Sequence, residues 1–143
     1  SKRCPVDILE KLSNDDSILI LHKIFLNNKC PIYLLEKFYN YKEPLIRGAI
    51  AQHPNCPIFI LKELSNDKSD YVRCCVANVC DSDILEKLVN DECSEVLKHI
   101  VINKNCSFNI LKRIYKEHKK HKDYEFFKKK ILKHPNWIVK CFE

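Results

Sequence analysis

Residues 46–64 read IRGAIAQHPNCPIFILKEL, and the chain on both sides of this stretch repeats its pattern. The Cys in its middle belongs to a series of anchor cysteines spaced by 26, 26, 24 and 26 residues: Cys4, Cys30, Cys56, Cys80 and Cys106. The phrase His-Pro-Asn that precedes Cys56 recurs before Trp137, which continues the series 31 residues after Cys106. A period of this length predicts tandem structural repeats that start at each anchor.

Each anchor is followed by an apolar pattern that predicts an α-helix, which we name helix A of the repeat. The apolar residues lie four, five and eight residues after the anchor, as in Ile60, Leu61 and Leu64. This spacing describes one face of a helix about three turns long. Pro follows the first three anchors and is expected at the first helical position, where its missing N–H is harmless, whereas Asp81 and Ser107 replace it later.

A second helix, helix B, completes each repeat. Turn segments at residues 13–15, 65–67 and 90–91 are rich in Ser, Asn and Asp, which end one helix and cap the next. We therefore predict an all-α fold without β-sheet, built from about five helix–turn–helix repeats of 24–31 residues. The predicted single domain spans residues 1–143, with repeats at about 4–29, 30–55, 56–79, 80–105 and 106–136 and a terminal helix at 137–143.

The stretch at 46–64 resembles the leucine-rich repeat variant family, whose phrase is Val-Arg-x-x-Val-Ala-x-x-Pro-Asn-x-Pro-x-x-x-Leu-x-x-Leu. The resemblance covers nearly the whole chain and weakens at both ends. It implies a right-handed α-solenoid, a superhelix of alternating helical segments. The length of helix A favours the geometry of HEAT-like repeats. The founding member of the family carries an iron–sulfur module, but nothing before Cys4 could supply one, and we expect no cofactor.

Composition limits the class of protein. The 143 residues are 45% apolar, enough for one core, and the single Gly argues against tight β-hairpins and glycine-lined phosphate loops. No apolar run is long enough to span a membrane, so we expect no membrane partner. Nine cysteines, an odd number placed mostly at helix starts and on helix faces, favour reduced thiols in the cytoplasm. The chain has no starting Met, which suggests a fragment, and we expect a monomer.

The anchor cysteines could be taken for metal ligands. Successive anchors are a whole repeat apart, however, and the ligands of one zinc ion lie within a few ångströms of each other. We therefore expect buried structural thiols and no metal site. His118 and His121 are spaced to share one side of a helix but lack a third ligand nearby in the sequence.

A basic column is predicted in helix B, with an acidic residue in the turn before each helix. The basic members are His22, Arg47, Arg73, Lys98 and Lys128, and the acidic residues are Asp15, Glu43, Asp67, Asp91 and Asp123. One interpretation is a ladder of ion pairs within each repeat. The other is a positive stripe that binds phosphates or an acidic partner.

The positive charge is concentrated at the C-terminal end. Residues 1–103 contain 13 Lys and Arg against 15 Asp and Glu, whereas residues 104–143 contain 12 against 4. The candidate binding residues of this tract are Lys112, Arg113, Lys116, Lys120, Lys128, Lys129 and Lys130, interleaved with Tyr115, Tyr124, Phe126 and Phe127. Basic and aromatic residues together can hold single-stranded nucleic acid, but a solvated terminal repeat has the same composition.

No combination of nucleophile, base and orienting group is recognisable, and we predict no catalytic residue. The leading hypothesis is a non-catalytic scaffold that binds a protein or peptide along the concave face of the solenoid. The alternative is a nucleic-acid-binding module that uses the basic column and the C-terminal repeat. A second alternative, an enzyme similar to the helical-repeat DNA glycosylases, would need an aromatic-walled cleft with an acidic residue.

Overall fold

A computed structural model describes residues 6–14 and 17–141 of the chain. Within these residues every regular element is an α-helix and no strand occurs, so the prediction of an all-α fold is confirmed. The helices are α1 Val6–Leu12, α2 Ile18–Phe25, α3 Ile32–Phe38, α4 Pro44–Ala51, α5 Ile58–Leu64, α6 Asp70–Val79, α7 Ser82–Leu88, α8 Ser94–Ile102, α9 Phe108–Glu117, α10 Tyr124–Ile131 and α11 Pro135–Cys141. Odd-numbered helices correspond to helix A and even-numbered helices to helix B. Cys4, Pro5 and Asp15 lie outside the described residues.

The helices belong to two compact units, Ser1–Val76 and Ala77–Glu143. In the first unit α1 packs on α2, α2 on α4, and α4 on both α3 and α5. In the second unit α7 packs on α8, α10 packs on α8 and α9, and α11 packs on α9. None of the described helices combines the length and the apolar character that a membrane span requires.

Helix A is shorter than the sequence predicted. The helices α1, α3, α5 and α7 have seven residues each, which is about two turns rather than three, and α9 has ten. The apolar face is nevertheless buried as the spacing predicted from α3 onward, as in Ile84, Leu85 and Leu88 of α7. In α1 only Leu9 is buried.

The proline after the anchor precedes helix A rather than starting it. Pro31 and Pro57 are N-cap residues with an extended ψ of 143°, one position before the expected one. Where Pro is lost, a side-chain cap takes its place. The Asp81 carboxylate accepts a hydrogen bond from the N–H of Ile84, and the Ser107 hydroxyl accepts one from the N–H of Ile110. Either residue type fixes the same helix start, by backbone geometry or by a capping bond.

The basic column of helix B is interrupted. In α4 the N–H of Arg47 donates to the carbonyl of Glu43, the N-cap residue of that helix. The residues whose N–H donates to the N-cap carbonyl in the same way are Leu21 in α2 and Leu97 in α8. Both leucines are buried. His22 and Lys98 therefore lie one position after the column, because burial of the apolar face and not charge sets the helix register. Arg73 makes the same bond in α6. In α10 Phe127 makes it, and Lys128 matches Arg47 only in lying nine residues before the next anchor position.

Candidate binding surfaces

The anchor cysteines are structural residues in the described part of the chain. Cys30, Cys80 and Cys106 are buried and Cys56 is half-buried. Burial raises the pKa of Cys30 to about 11 and the pKa of Cys56 to about 12. Burial likewise raises the pKa values of Cys80 and Cys106 to about 12. Because the thiolate is the metal ligand and the nucleophile, these thiols are poorly suited to either role.

The thiols find acceptors in the backbone. The Sγ atoms of Cys30, Cys56 and Cys106 each lie 3.8 Å from the carbonyl oxygen of the following residue. Among the residues that the structure describes, no three His, Cys, Asp or Glu side chains lie close enough together to hold a metal ion.

A ladder of polar side chains, which was not predicted from the sequence, occupies the third position before the anchor. We name it the turn ladder; its members are Asn27, His53, Asn103 and His134. Each side chain accepts a hydrogen bond from the backbone N–H two residues later, at 2.8–3.2 Å: from Lys29, Asn55, Asn105 and Asn136 respectively. This bond holds the turn between helix B and the next helix A.

Three members of the turn ladder also reach the preceding repeat. His53 Nε2 lies 3.2 Å from the carbonyl oxygen of Asn27, and His134 Nε2 lies 2.9 Å from that of Asn103. The Asn103 amide donates to the carbonyls of Ala77 at 2.8 Å and Cys80 at 2.9 Å. The signal in the sequence was the recurrence of His-Pro-Asn, which places His53 and His134 at the same distance before Cys56 and Trp137.

Arg47 is fully engaged inside the first unit. Its Nε and Nη2 bind the two carboxylate oxygens of Asp67 at 2.6 and 2.8 Å, and its Nη1 donates to the carbonyls of Tyr41 and Lys42 at 2.8 and 2.9 Å. The side chains of Arg47 and Asp67 are 7% and 8% exposed. The hydrogen bond to Asp67 raises the pKa of Arg47. Burial alone would raise the pKa of Asp67, but the bonds from Arg47 and from the Ser69 N–H leave it below its ordinary value.

Arg47 and Lys98 pair with acids in the turn of the next repeat, whereas the interpretation as a ladder placed these pairs within each repeat. Arg47 binds Asp67 instead of Glu43, the acid in the turn of its own repeat. Lys98 lies 3.2 Å from Asp123 of the next repeat and 2.7 Å from Glu95 of its own helix. Arg73 donates to the backbone carbonyl of Asp67 at 2.8 Å. Arg47, Arg73 and Lys98 are therefore engaged with the turns before or after their helices.

The lysines of α9, α10 and the loop between them are different. Arg113 contacts Glu117 at 3.1 Å and also bonds to Asn90. The six candidate lysines are Lys112, Lys116, Lys120, Lys128, Lys129 and Lys130; no carboxylate of a described residue lies within ion-pair distance of any of them. All are exposed except Lys128, which is half-buried. Their charge is free to attract an anionic partner.

Half-buried aromatic rings lie beside these lysines. Trp137 contacts Phe108 and Tyr115 with ring centroids 5.3 Å apart in both pairs, and Tyr115 contacts Tyr124 at 6.0 Å. We name these four residues the ring cluster. The Lys112 ammonium lies 5.7 Å from the centroid of Phe108. The ring cluster holds α11 on α9 and leaves ring edges and faces partly accessible.

The first unit exposes a second kind of surface, made of apolar side chains. Ile32 and Tyr33 begin α3, and Ile58 and Phe59 begin α5; their exposed fractions are 46–53%. We name these four residues the apolar row. They occupy the second and third positions after the anchor. The signal in the sequence that could have identified this surface is the pair of apolar residues that follows each of these Cys-Pro pairs. The same position in α7 is Ser82.

Comparisons of the chain with protein-family models, with curated protein sequences and with solved structures find no significant match.

Proposed function

We propose that the chain is a non-catalytic helical-repeat scaffold, located in the cytoplasm, that binds an extended segment of another protein through the apolar row. The proposal includes the right-handed solenoid and the relation to leucine-rich repeat variant proteins implied by the sequence pattern. The observation that carries it is the recurrence of two exposed apolar side chains at the same place in two successive repeats. Grouped exposed apolar residues are typical of protein-binding surfaces.

The spacing of the apolar row specifies the partner. Packed helices lie about 8–10 Å apart. A segment in the extended polyproline II conformation advances about 3.1 Å per residue with three residues per turn, so every third side chain points to the same side and meets a new repeat. The expected partner therefore carries an apolar side chain at about every third position.

A displayed library of random peptides, selected on the immobilised full chain, tests this proposal. We expect the enriched peptides to show the three-residue apolar period and to bind in calorimetry. Ile58→Glu should weaken that binding at least about tenfold, because a charge would be desolvated against the peptide. Lys62→Ala, an exposed change in the same helix, is the matched control and should leave the affinity unchanged. Enriched peptides that bind the Ile58→Glu chain equally well, or no enrichment, would refute the proposal.

A second candidate function, single-stranded nucleic-acid binding by the second unit, is favoured by one specific observation. The six lysines without a carboxylate partner lie on α9, α10 and the loop between them, and α9 and α10 also contribute to the ring cluster. Lysines that neutralise phosphates release counterions, and aromatic faces stack on bases of any sequence. Arg47 has no part in this candidate, because its donors already bind Asp67 and two carbonyls.

Fluorescence anisotropy with a labelled oligothymidine separates the two candidates. With about four phosphates neutralised, raising the salt from about 50 to 200 mM should weaken binding roughly 50-fold. Lys129→Glu with Lys130→Glu should abolish binding. Lys37→Glu with Lys62→Glu, the same change of charge in the first unit, should reduce it only slightly. Absence of binding at the lower salt concentration would eliminate the nucleic-acid candidate and leave the peptide proposal intact.

A further inference from the structure

The first repeat exposes apolar residues whose counterparts in the later repeats are buried, with one half-buried exception. Ile8 and Leu12 of α1 are 42% and 37% exposed. The counterparts of Ile8 are all at most 3% exposed: Leu34, Ile60, Ile84 and Ile110. Among the counterparts of Leu12, Leu64, Leu88 and Ile114 are equally buried and Phe38 is half-buried. The residues at these positions are apolar in every repeat. The difference in exposure therefore arises because no described residue packs over these side chains in the first repeat.

Helix α2 shows the same difference. Ile20 is half-buried, whereas its counterparts in helix B of the later repeats have no exposed surface: Ile46, Val72, Val96 and Phe127. A cavity of about 240 Å³ opens at this place, lined by Leu9, Leu12, Ile20, Lys23, Ile24 and Asn27. We name the face formed by Ile8, Leu12 and Ile20 the stacking face.

A hydrogen-bond donor lies at the edge of that cavity. Asn27 is the first member of the turn ladder, and its Oδ1 accepts from the N–H of Lys29 as Asn103 Oδ1 accepts from Asn105. Asn103 uses its Nδ2 to bind two backbone carbonyls, that of Ala77 in the preceding repeat and that of Cys80, the anchor of its own repeat. For Asn27 Nδ2, no acceptor is found among the described residues.

We propose that the stacking face binds another helix–turn–helix repeat of the same kind, with Asn27 donating to a backbone carbonyl of that repeat. The occupant follows from continuity with the interface between repeats. The same three apolar positions are covered in later repeats, and the same ladder position donates backward at His53, Asn103 and His134.

The test adds one repeat to the full chain. Residues 30–55 are duplicated and placed directly before Cys4 in place of residues 1–3, which reproduces the native junction of Asn55 with Cys56 and Pro57. We expect amide exchange in α1 to slow at least about tenfold, since exchange follows local stability. The melting temperature should rise by about 4 °C or more.

Two substitutions give the matched controls. In the unextended chain Asn27→Asp and Leu12→Ala should change the melting temperature little, because the new carboxylate can still accept from the N–H of Lys29 and the Leu12 side chain is exposed there. In the extended chain each should cancel much of the gain. An extended chain whose added residues stay disordered, with α1 exchanging as before, would overturn the proposal.

The other possible occupant is a second copy of the chain. Sedimentation of the unextended chain over a hundredfold range of concentration should show a monomer. A dimer that Leu12→Glu dissociates would assign the stacking face to self-association and overturn the proposal. These outcomes are independent of the apolar row, which Leu12 and Asn27 do not join.

Discussion

Replacing Arg47 with Met leaves Asp67 with its carboxylate buried and without its cationic partner. Met has a similar length and a good helix propensity, so the change removes charge and hydrogen bonds with little change in packing. The two side chains are 7% and 8% exposed, and Arg47 makes four hydrogen bonds. Breaking a buried ion pair by removing one partner costs about 3–5 kcal/mol. The same change at an exposed pair would cost at most about 1 kcal/mol.

Urea unfolding followed by circular dichroism at 222 nm measures this loss. With an m-value of about 2 kcal/mol per molar, the midpoint for the Arg47→Met chain should fall by about 2 M. Arg47→Lys keeps the charge but loses the bidentate geometry, so it should lose part of the same free energy. The double variant Arg47→Met with Asp67→Leu should be more stable than Arg47→Met alone, because no unpaired charge stays buried.

The pH dependence gives a second readout. The pKa of Asp67 is lowered in the folded chain, so its contribution to stability is present above the ordinary aspartate pKa of about 3.9 and is lost as the pH falls through the folded value. The gap in stability between the wild type and Arg47→Met should therefore narrow below about pH 4. A loss under about 1 kcal/mol at pH 7, or a double variant less stable than Arg47→Met, would refute the account of a buried pair.

Three further predictions concern packing and thiol chemistry. Leu85→Ala should lower the free energy of unfolding by about 2–5 kcal/mol in urea, because it opens a cavity in the core. Lys87→Ala, on the exposed face of the same helix, should lower it by less than about 0.5 kcal/mol. Equal losses of stability would mean that the helix register is wrong. Gly48→Ala should be destabilising despite the better helix propensity of Ala, since its Cβ would lie 2.6 Å from Cε1 of Tyr71, and Tyr71→Ala should reverse the loss. The Cys106 thiol, buried with a pKa of about 12, should react with a disulfide reagent at least about 100-fold more slowly in the folded chain than in urea; similar rates would contradict its burial.

The periodic apolar positions made the helical elements predictable. Ile84 and Leu85 are buried because their spacing places them on one face, and this depends only on helix geometry. Helix ends were less predictable. Pro57 was expected at the first position of α5 and lies one position before it. Its φ of −60° suits either position, and the extended ψ of 143° places it outside the helix.

The sequence predicted which residue types form the candidate surfaces, but it did not predict which of the charged side chains form ion pairs. The excess of lysine after residue 103 is a property of the sequence, and the lack of a carboxylate partner for Lys129 or Lys130 needed coordinates. Charge periodicity suggested that Arg47 and Lys98 share one column, and the burial of Leu97 moved Lys98 out of it. Charge matching is a weak guide to register, since surface charges contribute far less free energy than buried apolar side chains.

The sequence by itself determined that this protein is all-helical, where each helix lies to within a few residues, and which apolar face is buried, because these follow from local spacing and propensity along the chain. Only the tertiary structure decided that Arg47 binds Asp67 twenty residues away, that His134 reaches the carbonyl of Asn103, and that Ile8 is left exposed. Such contacts join residues of different repeats. Which residues meet in these contacts depends on how the helices of neighbouring repeats pack, and the sequence pattern within a single repeat does not specify that packing.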